Sequence, residues 1–248
     1  MKRIIAIVIL ALASIGVCLF FVLNNTKGEP EKMQESIIEQ RDILNDLPVE
    51  KEPVEEVYKS PIDFATLQEL NPDIYAWLEL PDVVSQPIAN RPGDDSYYHR
   101  RAIDGSYSLA GSIYTEDYNT RDFTDPVTLI YGHNMNTDEM FSTLEKCYSD
   151  KEFFDSHLNF TIYMPECEKH YTVLAAVSYG NVHILDKYNF MIDSIFNRFM
   201  EDIMSTRGLN CNINENLTVT PQDHIVILST CLRGNDAKRY LLVAVENK

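Results

Sequence analysis

Cys231 stands at the end of an apolar segment, and Arg239 follows eight residues later. Residues 225–231 and 239–245 are two short apolar segments separated by a polar loop, so the arginine begins the second segment. A deprotonated cysteine is a strong nucleophile near neutral pH. A guanidinium supplies fixed N–H donors beside the thiol for the negative charge that develops on a substrate oxygen. This pair of residue types indicates nucleophilic catalysis at a thiol.

A thiol nucleophile also needs a side chain that moves protons, and the chain contains six histidines. His133 follows the apolar segment 126–132, just as Cys231 follows its own segment. If the two segments form neighbouring parallel strands, both side chains meet at one rim. His183 also follows a predicted strand and is the second candidate. His224 begins the cysteine's own strand, which places it roughly 20 Å from the thiol at ~3.3 Å per residue.

Arg233 is the other arginine close to the thiol. Residues 232–236 are typical of a turn, which would direct Arg233 toward solvent, whereas Arg239 would lie across a hairpin from Cys231. A lone cysteine at a strand end is more often a packing residue than a catalytic one. The interpretation therefore depends on the combination of Cys231, His133 and Arg239.

Short segments separated by turns must position these three side chains. Predicted strands lie at 75–80, 86–89, 111–114, 126–132, 160–164, 171–177, 225–231 and 239–245, and predicted helices at 63–70, 140–148, 151–157 and 190–206. The last helix is amphipathic, because its apolar residues recur every three or four positions. Short strands joined by turns favour a closed barrel or a sandwich over alternating strands and helices. The predicted fold class is mainly β with inserted helices.

The N-terminal part of the chain differs from the rest. After two basic residues, residues 4–23 carry no charge, a length that matches one membrane-spanning helix at ~1.5 Å rise per residue. We predict a transmembrane anchor over 1–23 in the cell membrane, with the remainder outside the cell. A cleaved signal peptide is the alternative. The acidic, proline-containing segment 24–60 is predicted to be a stalk, and 61–248 the catalytic domain.

Composition excludes several classes of function. The 248 residues carry a net charge of −17, which argues against binding to nucleic acid or to anionic lipid. The five cysteines have irregular spacing and no C-x-x-C pair, so neither a disulfide framework nor a zinc site is indicated. The sequence does not decide whether Cys147, Cys167 and Cys211 form disulfides with one another.

Two motifs resemble those of a known family. Residues 128–135, Thr-Leu-Ile-Tyr-Gly-His-Asn-Met, and residues 228–231, Leu-Ser-Thr-Cys, with Arg239 downstream, resemble the class B sortases. These are membrane-anchored cysteine transpeptidases of Gram-positive bacteria. The helix predicted at 190–206 resembles the insertion of that class. The resemblance extends from about residue 63 to the C terminus.

The resemblance implies a closed eight-stranded sortase β-barrel that uses no metal or other cofactor. It implies an active site on the strand ends, with His133, Cys231 and Arg239 in catalysis and Leu228, Ser229 and Thr230 in substrate binding. Cys231 would attack a threonine carbonyl in the C-terminal sorting signal of a secreted protein and form a thioester. An amine from a peptidoglycan precursor or a pilin would resolve the thioester. His133 would act as general acid and then as base, while Arg239 holds the substrate and its oxyanion.

Three alternatives remain open from the sequence. The first is a class B-type pilin polymerase, and the second is a membrane-tethered cysteine hydrolase with water as the acceptor. The third is a non-enzymatic surface module in which Cys231 is structural. A papain-like protease is disfavoured, because in that family the cysteine precedes the histidine in the chain. The region 182–208 would select the sorting signal.

Overall fold

The computed structural model describes residues 58–135 and 140–248. The predicted anchor, and the predicted stalk up to residue 57, lie outside the described residues. Within the two described ranges, no helix has the length and apolar character needed to cross a membrane.

Nine strands and five α-helices lie in this described part of the chain. The strands are β1 (Ile74–Leu80), β2 (Val84–Ala89), β3 (Ile113–Tyr114), β4 (Val127–Tyr131), β5 (Asn159–Tyr163), β6 (Glu168–Gly180), β7 (Asn212–Ile213), β8 (Ile225–Leu232) and β9 (Asn235–Glu246). The helices are α1 (Phe64–Leu70), α2 (Leu144–Tyr148), α3 (Lys151–Ser156), α4 (Ile184–Lys187) and α5 (Asp193–Ser205), together with a 3-10 helix at Tyr97–Arg100. All eight predicted strands are confirmed, and β7, α4 and the 3-10 helix were not predicted.

Eight of the strands close into a ring. The hydrogen-bonded order is β1, β2, β3, β4, β8, β9, β6 and β5, and β5 pairs back onto β1. The pairs β2–β3 and β4–β8 are parallel and the other pairs of the ring are antiparallel. Strand β7 adds to the free edge of β6 beyond β5. The predicted closed eight-stranded barrel is confirmed.

Strand β8 is buried on both faces, which explains its continuous apolar sequence. Val226 and Leu228 point into a core that contains residues from every strand of the ring. Ile225 and Ile227 point outward, into a second core against helix α5. Alternate residues of β8 therefore belong to the barrel interior and to the layer under α5.

The parallel pairing of β4 and β8 brings two strand ends together. Tyr131 pairs with Ser229, and the next amide, that of Gly132, donates to the Ser229 carbonyl oxygen at 3.2 Å. His133 and Cys231 each lie two residues beyond this pair. The condition under which the sequence places His133 and Cys231 at one rim, that their strands are parallel neighbours, is met by β4 and β8.

Candidate active site

The thiol of Cys231 contacts the guanidinium of Arg239. The two residues are pairing partners across the β8–β9 hairpin, and Arg239 Nη1 donates to Cys231 Sγ at 2.9 Å. Arg239 Nε donates to Oδ1 of Asn181 at 2.9 Å. Two fixed contacts therefore orient the guanidinium, and a thiolate at this position would lie beside a positive charge.

A cleft of about 220 Å³ opens beside this pair. Residues from β3, β4, β8, β9, α4, the 3-10 helix and the loops beside them line it, among them Cys231, Arg239, His133, Ser229, His183 and Glu116. The structure thus brings the three predicted catalytic side chains to one cleft. The residues come from parts of the chain that are about a hundred positions apart, and the β4–β8 pairing joins them.

The ring of His133 is held by the 3-10 helix Tyr97–Arg100, which precedes β3. His133 Nε2 lies 2.7 Å from the carbonyl oxygen of His99, and the two imidazole rings are 4.5 Å apart between centroids. Because a carbonyl oxygen can only accept, Nε2 of His133 carries a hydrogen. Burial lowers the pKa of His99, and the nearby charges of His133, Arg100 and Arg239 lower it further. A neutral His99 limits charge repulsion against an imidazolium at His133.

A second polar pair lines the same cleft. His183 Nε2 lies 2.9 Å from Glu116 Oε2, and the Glu116 side chain is only 12% exposed. Burial raises the pKa of Glu116, while His183 acts in the opposite direction. Burial and the Glu116 carboxylate also raise the pKa of Tyr131. The cleft therefore holds a carboxylate as well as the guanidinium.

His183, the second histidine candidate, has both ring nitrogens engaged. Its Nε2 contacts Glu116, and its Nδ1 accepts from the amide of Asp186, which caps helix α4. A ring held at both nitrogens is poorly placed to exchange a proton with a substrate. The geometry favours His133 over His183.

The predicted substrate-binding residues separate into two groups. Ser229 lines the cleft on the same face of β8 as Cys231. Leu228 and Thr230 are fully buried, and Leu228 packs in the barrel interior. Because side chains alternate along a strand, both point to the opposite face from Cys231. Neither side chain lines the cleft, and their part in substrate binding stays a prediction.

Arg233 does not contact the thiol. Its Nη2 donates to the carbonyl oxygen of Met135 at 3.1 Å, and its backbone amide donates to Glu145 Oε2 at 3.1 Å. Arg233 is exposed, as the sequence predicts, and it makes these contacts at the surface. The preference for Arg239 as the partner of the thiol agrees with the geometry.

Sequence reasoning missed several residues around the thiol. Asn134 Nδ2 donates to the carbonyl oxygen of Cys231 at 2.9 Å, and His99, Glu116 and Asn181 line the cleft. His99 lies in the 3-10 helix and the other three in loops, and no periodicity in the sequence marks any of these residues. In the described ranges, no group of three or more His, Cys, Asp or Glu side chains could hold a metal ion.

No protein-family model matches the chain. The chain is 29% identical over 178 residues to sortase B of Listeria monocytogenes, covering 71% of this chain and 70% of that protein.

Solved structures agree in fold. The crystal structure of sortase B from Bacillus anthracis in complex with AAEK1 matches with a TM-score of 0.65 at 28% identity, over 75% of this chain and 84% of that one. A Streptococcus pyogenes class B sortase involved in pilus biogenesis matches with a TM-score of 0.62 at 24% identity, over 75% and 98%.

The barrel, the cleft with its cysteine, histidine and arginine, and the similarity in sequence and structure point to one conclusion. The chain is similar in sequence and in fold to class B sortases, and this similarity supports a cysteine transpeptidase of that class.

Proposed function

We propose that Cys231 attacks the carbonyl carbon of a threonine in the C-terminal sorting signal of a secreted protein. The observation that carries the proposal is the 2.9 Å contact between Arg239 Nη1 and Cys231 Sγ, in a cleft that His133 also lines. A guanidinium at this distance can stabilise both a thiolate and the oxyanion that forms next to it.

The first half-reaction forms a thioester. The sulfur forms a bond to the threonine carbonyl carbon, and the carbonyl electrons move to the oxygen, which Arg239 stabilises through its N–H donors. When the tetrahedral intermediate collapses, the C–N bond breaks and His133 gives a proton to the leaving amine. Since His133 Nε2 is held by the carbonyl oxygen of His99 at 2.7 Å, Nδ1 is the nitrogen that exchanges the proton.

The second half-reaction transfers the acyl group to an amine. His133, now neutral at Nδ1, takes a proton from the incoming amine as that amine attacks the thioester carbon. The C–S bond breaks and the thiolate of Cys231 returns to its place beside Arg239. The thioester retains the free energy of the acyl bond, so the transfer needs no nucleotide.

The acceptor amine that we propose first belongs to a peptidoglycan precursor, so that the enzyme anchors secreted proteins to the cell wall. A pilin amine is the second candidate, because a matching fold belongs to a class B sortase involved in pilus biogenesis. Hydrolysis by water is the third outcome for the same thioester.

We propose a location at the outer face of the cell membrane. The uncharged segment 4–23 and the two basic residues before it support an anchor with the catalytic domain outside the cell. Protease added to intact cells should degrade the catalytic domain, and full protection in intact but not in lysed cells would contradict this location.

The test of the reaction uses the full chain in detergent and internally quenched peptides with a fixed threonine and randomised neighbours. Cys231→Ala should lower the rate of cleavage at least about a thousandfold, because the nucleophile is lost. Cys167→Ala, which removes an exposed cysteine, is the matched control and should keep full activity.

Reactions with different acceptor nucleophiles distinguish the candidate functions. Mass spectrometry of products with a peptidoglycan stem-peptide amine, a lysine-containing pilin peptide or water alone shows which nucleophile takes the acyl group. Cleavage that persists in folded Cys231→Ala would end the proposal. If hydrolysed peptide is the only product with every acceptor, the protein is a thiol hydrolase and not a transpeptidase.

A further inference from the structure

Asn181 lies directly after strand β6, at the point where the chain passes the tip of the β8–β9 hairpin. We propose that Asn181 is a positioning residue that orients the guanidinium of Arg239 toward Cys231. The inference rests on the proposed function of Arg239, and it adds a residue that acts on the reaction through Arg239.

Three hydrogen bonds fix Asn181 to the hairpin. Its Oδ1 accepts from Arg239 Nε at 2.9 Å, and its Nδ2 donates to the carbonyl oxygen of Asp236 at 2.9 Å. Its backbone amide donates to the carbonyl oxygen of Ala237 at 2.9 Å, which continues the β6–β9 ladder beyond Gly180. The side-chain amide of Asn181 therefore uses its oxygen and one of its N–H groups in hydrogen bonds, and these two bonds fix its orientation.

These contacts have a direct consequence for the arginine. The guanidinium is planar, so a contact at Nε and a second at Nη1 together fix its plane and its rotation. Arg239 Nη1 reaches Cys231 Sγ at 2.9 Å in this orientation. The N–H groups of Arg239 that contact neither Asn181 nor Cys231 then point in fixed directions at the rim of the cleft, where the oxyanion forms.

The alternative role for Asn181 is purely structural, as a residue that closes the hairpin tip. The backbone contact to Ala237 would serve that role with any residue at position 181. Only the contact from Oδ1 to Arg239 Nε distinguishes orientation from hairpin closure. The two roles therefore predict different behaviour when Arg239 is changed.

The test uses the full chain in detergent and two readouts. One is kcat and KM on the peptide that the wild type cleaves fastest, and the other is the rate at which iodoacetamide alkylates Cys231, measured by mass spectrometry. Asn181→Ala should lower kcat about tenfold with KM changed less than about twofold, because one hydrogen bond to a charged group is lost. It should also lower the rate of alkylation. Asn235→Ala, whose Oδ1 accepts from the Ala237 amide in the same hairpin, should match the wild type.

A double-mutant cycle isolates the route of the effect. Arg239→Lys has no Nε–H for Asn181 to hold, so Asn181→Ala should cause no further loss in that background. An equal loss in both backgrounds would overturn the proposal, and so would a wild-type rate in folded Asn181→Ala. The alkylation readout needs no peptide substrate, so it decides the role of Asn181 even if Cys231→Ala refutes the proposed function.

Discussion

At the scale of single residues, the position of His133 depends on Gly111. This glycine has φ of +59°, and a Cβ there would lie 2.7 Å from the carbonyl oxygens of Tyr98 and His99. The same Cβ would lie 3.1 Å from Cδ2 of His133. The His99 carbonyl that holds His133 Nε2 therefore needs a residue without a side chain at position 111.

Gly111→Ala should lower kcat by displacing the His99 carbonyl and the ring of His133. Gly93→Ala is the matched control, because Gly93 also has a positive φ of +80° but a Cβ there would meet no atom within 4 Å. Both variants should lose about 1 kcal/mol of stability from the left-handed backbone. Only Gly111→Ala should lose more than about tenfold in kcat. Equal kcat values for the two folded variants would show that His133 does not depend on this glycine.

The sequence predicts the placement of some site residues and not of others, for a physical reason. Cys231, His133 and Arg239 stand at the ends of apolar segments of the sequence, and such ends have a recognisable pattern. Asn181 and His99 act through contacts with residues far away in the chain, and no local pattern records such contacts. The burial of Leu228 and Thr230 could have been predicted, because a period of two places them on the face of β8 opposite Cys231.

At the scale of secondary structure, helix α5 supports the outer face of the strand that carries the nucleophile. Its apolar periodicity predicted a helix at 190–206, whereas the structure begins it at Asp193 after the separate helix α4. The short elements α4 and β7 could not be predicted, because two to four residues carry too little pattern and depend on tertiary contacts. Phe199 is the centre of the contact, with the rings of Tyr179, Tyr188 and Phe190 at 5.8, 5.2 and 5.0 Å.

Phe199→Ala should destabilise the protein by about 3–5 kcal/mol, because it removes a buried ring and leaves a cavity under α5. Because Phe199 is only 1% exposed, the substitution removes a side chain that is buried almost completely. Urea unfolding followed by circular dichroism measures the change. Arg198→Ala, on the exposed face of the same helix, should change stability by less than about 0.5 kcal/mol. A similar small loss in both variants would mean that α5 contributes little to the fold.

At the scale of the whole molecule, barrel closure brings the distant parts of the site together. The parallel pairing of β4 with β8 lets Asn134 reach the Cys231 carbonyl oxygen across 97 positions of sequence. Strand content could be predicted from apolar segments and turns. Strand order and register could not, because they depend on packing between segments remote in sequence, and only the family resemblance indicated the closed barrel.

The stability of the whole molecule should depend on pH through Glu116. Burial raises the pKa of this carboxyl above its ordinary value of 4.5, against the opposing effect of His183. In the unfolded chain, Glu116 ionises near the ordinary value. As pH rises from that value through the raised pKa of the folded state, Glu116 ionises first in the unfolded chain. The free energy of unfolding that the protonated Glu116 contributes at low pH is therefore lost over this range.

Glu116→Gln removes this loss, because glutamine does not ionise. Relative to the wild type, the variant should gain stability as pH rises from about 4 to about 8, and the gain should be absent at the lower end. Urea unfolding across this range measures it. Glu201→Gln on the exposed face of α5 is the control, since it removes the same single charge from a molecule with a net charge of −17. If Glu116→Gln instead loses stability as pH rises, the pairing with His183 outweighs burial, and the carboxylate is a stabilising part of the cleft.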